Sequence, residues 1–311
     1  MDNNPQTQPK ILVVGSINMD LLLLTDRMPL PGETMISEEY IFGPGGKGAN
    51  QATACAKLGA NTSFVCKVGN DDFGRELTAN LAKNNINTDF VGISPSKKTG
   101  FCVIMLEDGG NNRLIVHLAS NLDITTTDID QALTQHYDGI IMQFEIAEDI
   151  VAYTVQKARE KNIPVIIDAG PAIPFPLHKL EGIEILSPNE TETAALCGIT
   201  PDSADNCLNA AKALAKDTKA KHIVLKLGEK GAFHYHPQTD THKHYPSVKV
   251  TPVDATAAGD VFTAALAIEY LTHKDIQKGI QFANKAGALT VTKKGAGESV
   301  PTRAEVFAAF Q

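Results

Sequence analysis

The chain has 311 residues, 43% of them hydrophobic and 21% charged, with a net charge of -8. That is enough chain for a large core, with the balance of a globular rather than a disordered protein. The negative charge argues against broad electrostatic attachment to nucleic acid or an anionic membrane, while leaving room for an anionic substrate held by local amides and lysines. Cys55, Cys66, Cys102, Cys197 and Cys207 are odd in number and form no CxxC pair, the usage of reduced thiols in the cytoplasm. Met1–Lys10 is polar, with Pro5 and Pro9 and no apolar stretch, and reads as a frayed tail rather than a signal peptide. No apolar run approaches the ~20 residues of a membrane helix. A soluble, cytoplasmic protein is expected.

Ile11–Val14 is an apolar run of strand length ending at Gly15, the profile of a strand buried on both faces. A second strand is expected over Leu21–Thr25, a turn at Pro29–Gly32 and an extended stretch over Thr34–Phe42. Ala49–Leu58 reads as a helix stopped by Gly59, Thr62–Val68 as a strand and Gly74–Asn85 as a helix. Gly100–Leu106 and Arg113–Leu118 flank Asp108-Gly109, a hairpin signature. From about Thr126, strands at Gly139–Phe144, Val165–Asp168, Ile183–Leu186 and His222–Leu227 alternate with helices. These helices lie around Thr127–His136, Ala147–Lys161, Glu190–Leu196 and Ser203–Lys216. Such alternation implies a parallel sheet with helices on both faces. A second hairpin at Gly231–Tyr245 precedes three helices, at Asp260–Tyr270, at Asp275–Thr290 and after Pro301. The expected fold is therefore α/β over 11–311, a central mostly parallel sheet with helices on both faces. A small β-sheet from about 20–43 and 97–120 is expected beside it, placed as a lid.

Within Pro252–Ala265, the small residues Ala257, Ala258 and Gly259 let backbone come close to a ligand. Helical spacing from Asp260 onward makes this a helix N-terminus, where free N–H groups and the dipole favour an anion. Asp260 is either the N-cap of that helix or a general base beside a pocket for transferred negative charge. Gly43–Gly48 formally satisfies GxGxxG, but no core strand runs directly into it, which weakens a dinucleotide reading. Walker A fails outright, because Lys47 is followed by Gly48. What remains is a tight turn, or a loop that brings Lys47, Asn50 and bare amides to one spot.

Asn18 and Asp20 follow the first strand and share a face by alternation. They lie where open parallel sheets bind ligands, with a strand-end turn as the alternative. Asn189 and Glu192, three apart after Pro188, form either a capping arrangement or a holder for the waters around Mg²⁺. Glu145 and Asp168 end successive strands on the same side, as ligand-facing acids or as helix caps. His234, His236, His242 and His244 form HxH pairs on the second hairpin, for which a solvated face is the plainer reading and a metal clip the sharper one.

PGGKGANQA at Pro44–Ala52 and DATAAGD at Asp254–Asp260 together resemble the two signature segments of the ribokinase (PfkB) family of carbohydrate kinases. GSINMD at Gly15–Asp20, PGET at Pro31–Thr34, NETE at Asn189–Glu192 and KKGAGESVP at Lys293–Pro301 fit in the same order, so the resemblance runs from Ile11 to about Pro301. It implies ATP-dependent phosphorylation of a sugar's primary hydroxyl, with D-ribose to ribose 5-phosphate first. Deoxyribose, a nucleoside or another sugar is the alternative acceptor. Outside that class stand a non-catalytic sugar-binding relative and, last, an NAD-dependent oxidoreductase.

By that resemblance, Asp260 is the base, and the amides over Ala257, Ala258, Gly259 and Asp260 are the anion hole. Asn18, Asp20, Gly46, Lys47, Asn50 and Glu145 would hold the sugar with Asp260. Asn189, Lys226, Gly228, Gly259 and Asn284 would meet ATP, and Asn189 and Glu192 would manage Mg²⁺ through water. A K⁺ activator would take Asp254, Thr256, Thr290, Lys293, Gly295 and Ser299. The β-rich insertion becomes a lid that also joins a homodimer; no nucleic acid or membrane partner is implied. Three positions depart from the family's usual wording. Ala255 replaces Thr, Lys226 replaces a small hydroxyl residue, and Ala119-Ser120-Asn121 replaces Gly-Ala-Asn at the lid's return.

Overall fold

Residues Ile11 to Val14 send alternate side chains into two apolar layers, and every one of the four is fully buried. The computed structural model describes residues 8–37, 39–107 and 112–310; Met1–Thr7 of the expected tail and the Asp108-Gly109 turn lie outside them. The run forms strand β1 (Lys10–Val14), and β2 (Asn18–Thr25), β3 (Glu39–Gly45), β4 (Asn61–Val68), β5 (Val91–Ile93), β6 (Gly100–Glu107) and β7 (Asn112–His117) follow. Beyond them come β8 (Gly139–Met142), β9 (Val165–Asp168), β10 (Ile185–Ser187), β11 (His222–Lys226), β12 (Ala232–His236) and β13 (Thr241–Tyr245).

Among the described residues, nine strands make one sheet in the order β13-β12-β11-β10-β9-β8-β1-β4-β5. Pairing from β5 through to β11 is parallel, while β12 pairs antiparallel with β11 and with β13 at one edge. The short β5 has no alternation to betray it in the sequence. Ridges of helix cover both faces: α1 (Lys47–Lys57), α2 (Asp72–Lys83), α3 (Thr126–Ala132), α4 (Glu148–Glu160), α5 (Glu190–Cys197), α6 (Ala204–Thr218), α7 (Ala258–His273), α8 (Ile276–Thr290) and α9 (Arg303–Ala309). α7 is buried from Asp260 through Leu271, which its all-round apolar surface permits, and it packs between α1 and α8.

A separate four-stranded sheet, β3-β2-β6-β7, stands beside this core. β2 pairs antiparallel with β3 and parallel with β6, and β6 antiparallel with β7. Two boundaries differ from the sequence reading in ways that bear on function. α1 starts at Lys47, ahead of the expected Ala49, because Gly46 takes φ 90 and turns the chain into the helix at once. α7 starts at Ala258, so the cap reading of Asp260 is wrong: the N-cap is Ala257, at φ 61 and without a side-chain cap bond. Asp260 lies inside the first turn.

Candidate active site

Five of the parallel strands deliver polar residues to one edge of the sheet. Ser16 and Asn18 follow β1, Gln143 and Glu145 follow β8, Asp168 ends β9, Asn189 follows β10 and Lys226 ends β11. This is the edge at which open α/β sheets bind ligands. The start of α1 is pressed against it. A Cβ on Gly48 would stand 2.7 Å from the backbone of Gly15 and Ser16, and the Ala49 N–H donates to the Ser16 carbonyl at 2.9 Å. Glycine is required there by the chain's own backbone, and the close approach aims Lys47, Asn50 and Gln51 into the edge.

Asp260 is buried between them. Its Oδ2 accepts from Asn50 Nδ2 and its Oδ1 from Gln51 Nε2, both at 3.0 Å, while Lys47 Nζ lies 3.9 Å from Oδ1. Burial pushes the Asp260 carboxyl up, Lys47 pulls it back and Asp168 adds a further push, leaving it at about 6. Lys47 is itself held protonated: burial disfavours its charge, but Asp168, Asp260, Glu192 and Glu145 more than offset that.

Gln51 also donates to Asp168 Oδ2 at 3.0 Å and accepts from Gln143 Nε2 at 2.6 Å. Asp168 takes Lys226 Nζ at 2.9 Å and Thr263 Oγ1 at 3.1 Å. Burial alone would raise its carboxyl, yet Lys226 and Lys47 hold it below the ordinary carboxylate value. Glu192 faces both cations, with Lys47 Nζ at 4.0 Å and Lys226 Nζ at 3.9 Å. Asn189 and Glu192 also close a reciprocal capping box on α5, so the cap reading of that pair is realised while Glu192 remains in the cluster. Glu145 and Asp168, by contrast, cap no helix. Glu145 accepts the Ser16 hydroxyl at 2.6 Å and the Lys47 N–H at 3.3 Å, and the N-cap of α4 is Ala147, with no side-chain cap bond.

On the small-sheet side, Asn18 accepts from Asn121 Nδ2 at 2.8 Å, and Asn121 in turn takes the Ile17 N–H at 2.9 Å. Asp20 lies opposite Gly43 and Cys102 on neighbouring strands. Its Oδ1 is buried with no hydrogen-bond partner, and a Cβ on Gly45 would overlap the carboxylate. Burial first, then Glu145 and Asp260, push Asp20 up to about 7. An orphaned carboxylate oxygen at this depth lacks a donor such as a hydroxyl.

Asp254 accepts Thr256 N at 2.9 Å, Thr256 Oγ1 at 2.6 Å and Gly295 N at 2.9 Å, which ties the approach to α7 to the loop after α8. Lys293 N donates to the Thr290 carbonyl at 3.1 Å in that loop. The Lys293 ammonium leaves it for Glu305, and Ser299 Oγ turns to Ala296 O. Gly228, at φ 53, faces Glu190 at the start of α5. Asn284 is not brought to the Asp260 cluster; its amide is spent on the Tyr245 and Pro246 carbonyls at 3.1 and 3.2 Å.

Gln143 and Thr263 are cluster members that motif reading missed. Thr263 lies three residues after Asp260, the spacing of one helix face, and that signal was available. The hairpin histidines divide: His234 is buried with its Nε2 3.0 Å from His222 Nδ1, whereas His242 and His244 are exposed. The solvated-face reading fails for His234. Among the described residues no group of three or more His, Cys, Asp or Glu is placed to hold a metal.

The sequence pattern of the pfkB family carbohydrate kinases matches residues 8–303. The chain belongs to that family. Ribokinase of Bacillus subtilis is 35% identical over 298 residues, covering 95% of this chain and 97% of that one. Deoxyribokinase of Salmonella typhi is 32% identical over 295 residues, covering 94% and 95%. The chain spans about half the length of the bifunctional ribokinase/ribose-5-phosphate isomerase A of Fructilactobacillus sanfranciscensis, at 34% identity over 96% of this chain and 55% of that one. A solved structure of Arabidopsis thaliana ribokinase complexed with ribose and ATP superposes with a TM-score of 0.88, at 32% identity, over 97% of this chain and 98% of that one. This pfkB kinase is thus a sugar kinase of the ribokinase type, with the fold of that structure.

Proposed function

We propose that the enzyme transfers the γ-phosphoryl group of ATP to the 5-hydroxyl of D-ribose, giving ribose 5-phosphate. The observation that carries the reading is Asp260: a buried carboxylate, tethered by two amides on the first turn of α7 beside the Lys47 ammonium, with its carboxyl pushed up by burial. As the hydroxyl oxygen bonds to phosphorus and the bond to ADP breaks, the hydroxyl proton passes to Asp260. Each Asp260 oxygen accepts one amide and keeps a lone pair for that proton. The N–H groups over Ala257, Ala258 and Gly259, at the positive end of a 16-residue helix, face the charge on the phosphoryl oxygens. Little covalent work falls to the protein; alignment and charge stabilisation carry the rate.

Asn18, Asp20, Gly46, Lys47, Asn50 and Glu145 hold the sugar hydroxyls, a role supported by the partnerless Asp20 oxygen. ATP lies along Asn189, Lys226, Gly228 and Gly259, with Asn284 acting through the loop it pins. Asn189 and Glu192 suit Mg²⁺, a hard cation that keeps its waters and when bound neutralises phosphate charge. The Asp254 carboxylate with the carbonyls of 290–295 offers the hard oxygen donors that K⁺ takes, and Thr256 and Ser299 complete that set. The small sheet serves as lid and as the contact with a second copy. Five free cysteines support a reducing, cytoplasmic setting. A 2-deoxyribose acceptor is the second reading, favoured by the Salmonella relative.

The deciding assay is ATP turnover with ribose, 2-deoxyribose, fructose and adenosine in K⁺ or Na⁺, alongside Asp260→Ala. Ribose is expected to be fastest, K⁺ to stimulate, and the variant to lose roughly 10²–10⁴-fold in kcat, the usual worth of a general base. Faster turnover of another acceptor would discard ribose and keep the chemistry. No turnover of any acceptor, or full activity in Asp260→Ala, would overturn the mechanism.

A further inference from the structure

The kinase reading sets Lys226 along ATP but gives no reason for its pairing with Asp168. Both side chains are buried, and a buried ion pair is a poor way to gain stability, because desolvation costs about as much as the attraction returns. Its location is more telling. Lys226 Nζ has Asp168 at 2.9 Å and Glu192 at 3.9 Å, and a Cβ on Gly259 would stand 3.7 Å away. The ammonium therefore sits at the mouth of the α7 N-terminus, on a flexible stem. Asp168, its partner, is joined to the base through a single atom. Gln51 Nε2 donates at 3.0 Å to Asp168 Oδ2 and at 3.0 Å to Asp260 Oδ1, so the two carboxylates flank one nitrogen. Gln143, donating to Gln51 Oε1, keeps that amide from turning.

We propose that Lys226 and Asp168 form a phosphate-sensing pair: Lys226 moves from Asp168 to the γ-phosphate of bound ATP, and the charge uncovered on Asp168 strengthens Asp260 as a base. The proposal rests on the kinase reading above. A like charge a few ångströms away disfavours ionisation, so Asp260 holds a proton more readily once Lys226 has left. Proton acceptance is thereby favoured when the phosphoryl donor is in place. The proton travels from the sugar hydroxyl to Asp260 as the oxygen–phosphorus bond forms and ADP departs, and Lys226 returns to Asp168 when ADP leaves. Lys226 touches the nucleotide; Asp168 is a positioning residue acting through Gln51. The other charged groups around Asp260 are Lys47 from α1 and Asp20 from β2, with Glu145 and Glu192 beyond Lys47, and none of them changes in the variants below.

The test is the pH profile of kcat/KM for ATP at saturating ribose, which reports the enzyme before ATP binds. It is measured for the wild type, Asp168→Asn, Lys226→Met and Lys226→Arg, each checked by thermal melting. Removing the Asp168 charge is expected to move the acid limb to lower pH by about one unit, the low end of what a neighbouring charge exerts. Lys226→Met uncovers Asp168 permanently and moves the limb up, and it raises KM for ATP tenfold or more with little change in KM for ribose. Lys226→Arg keeps the charge and leaves the limb in place. Damage to packing would lower rates without sending the limbs in opposite directions. Coincident limbs in wild type, Lys226→Met and Lys226→Arg would overturn the proposal, and that comparison decides even if Asp168→Asn does not fold. Absence of turnover in the wild type would instead sink the kinase reading itself.

Discussion

At the scale of single residues, the site depends on small side chains for two different reasons. Gly48 is small because Gly15 and Ser16 backbone lies against it at 2.7 Å, with no side chain to yield. Gly259 has open space, its nearest neighbour being Lys226 Nζ at 3.7 Å. Gly48→Ala is therefore expected to cost about 1–3 kcal/mol in urea unfolding, the usual range for overpacking. Gly259→Ala should leave stability within about 0.5 kcal/mol and still cut kcat, if its methyl enters the phosphoryl site proposed above. Equal stability losses in the two variants would contradict this division. Identical letters in the sequence hide that difference, since it is set by residues over thirty positions away, Gly15 and Ser16 for Gly48 and Lys226 for Gly259. Gln51 is a similar case. Its polar character at a helix start is visible, but a fork between two carboxylates exists only once β9 and α7 are side by side.

At the scale of elements, helices and strands were legible where periodicity was strong, and their ends were not. α7 begins at Ala258 because Ala257 adopts a left-handed conformation, which no preference of alanine announces. The β12 hairpin shows the other limit. Alternation correctly pairs His234 with His236 on one face, but that face meets His222 on β11. Burial pulls His222 down to about 3 and His234 to about 4, with neighbouring histidines adding to the effect. The signs follow directly. Between these values and the ordinary 6.5, the unfolded chain binds protons that the folded one does not, so stability is complete above 6.5 and falls with pH below it. The loss approaches roughly 3 kcal/mol per ring at most by about pH 4. Thermal melts should show the midpoint falling between pH 6.5 and 4, and less steeply in His222→Gln/His234→Gln. An unchanged slope in the double variant would place the acid sensitivity elsewhere.

At the scale of the molecule, the small sheet has a face that the core does not fill. Ile41, Leu22, Ile104 and Leu114 lie in one row across β3, β2, β6 and β7, on the same face as Asp20 two residues earlier. Ile41 and Leu114, at the two ends of the row, are 47% and 52% exposed while Ile104 between them is buried, so the bare apolar surface lies on the outer strands of the sheet. A second copy covering those strands, the contact proposed above, would bury them. Sedimentation velocity is expected to give a dimer for the wild type and a monomer for Leu114→Asp, with raised KM for ribose in the variant. A wild type that stays monomeric at tens of micromolar would remove the dimer from the account.

The order of elements apart from β5, the mostly parallel sheet with helices on both faces and the motif residues at strand ends were written in local pattern, because burial periodicity and backbone preference act over a few neighbouring residues. Lys47, Asn50 and Asp260 could be named from their wording alone. Which of them touch, that Gln51 joins two acids, that Lys226 answers Asp168 and that Asn284 is spent on a loop were decided only by folding. Those relations join residues from 38 to 210 positions apart. Their energies depend on burial and on the charges gathered around them, and neither exists until the strands have delivered their ends to one edge.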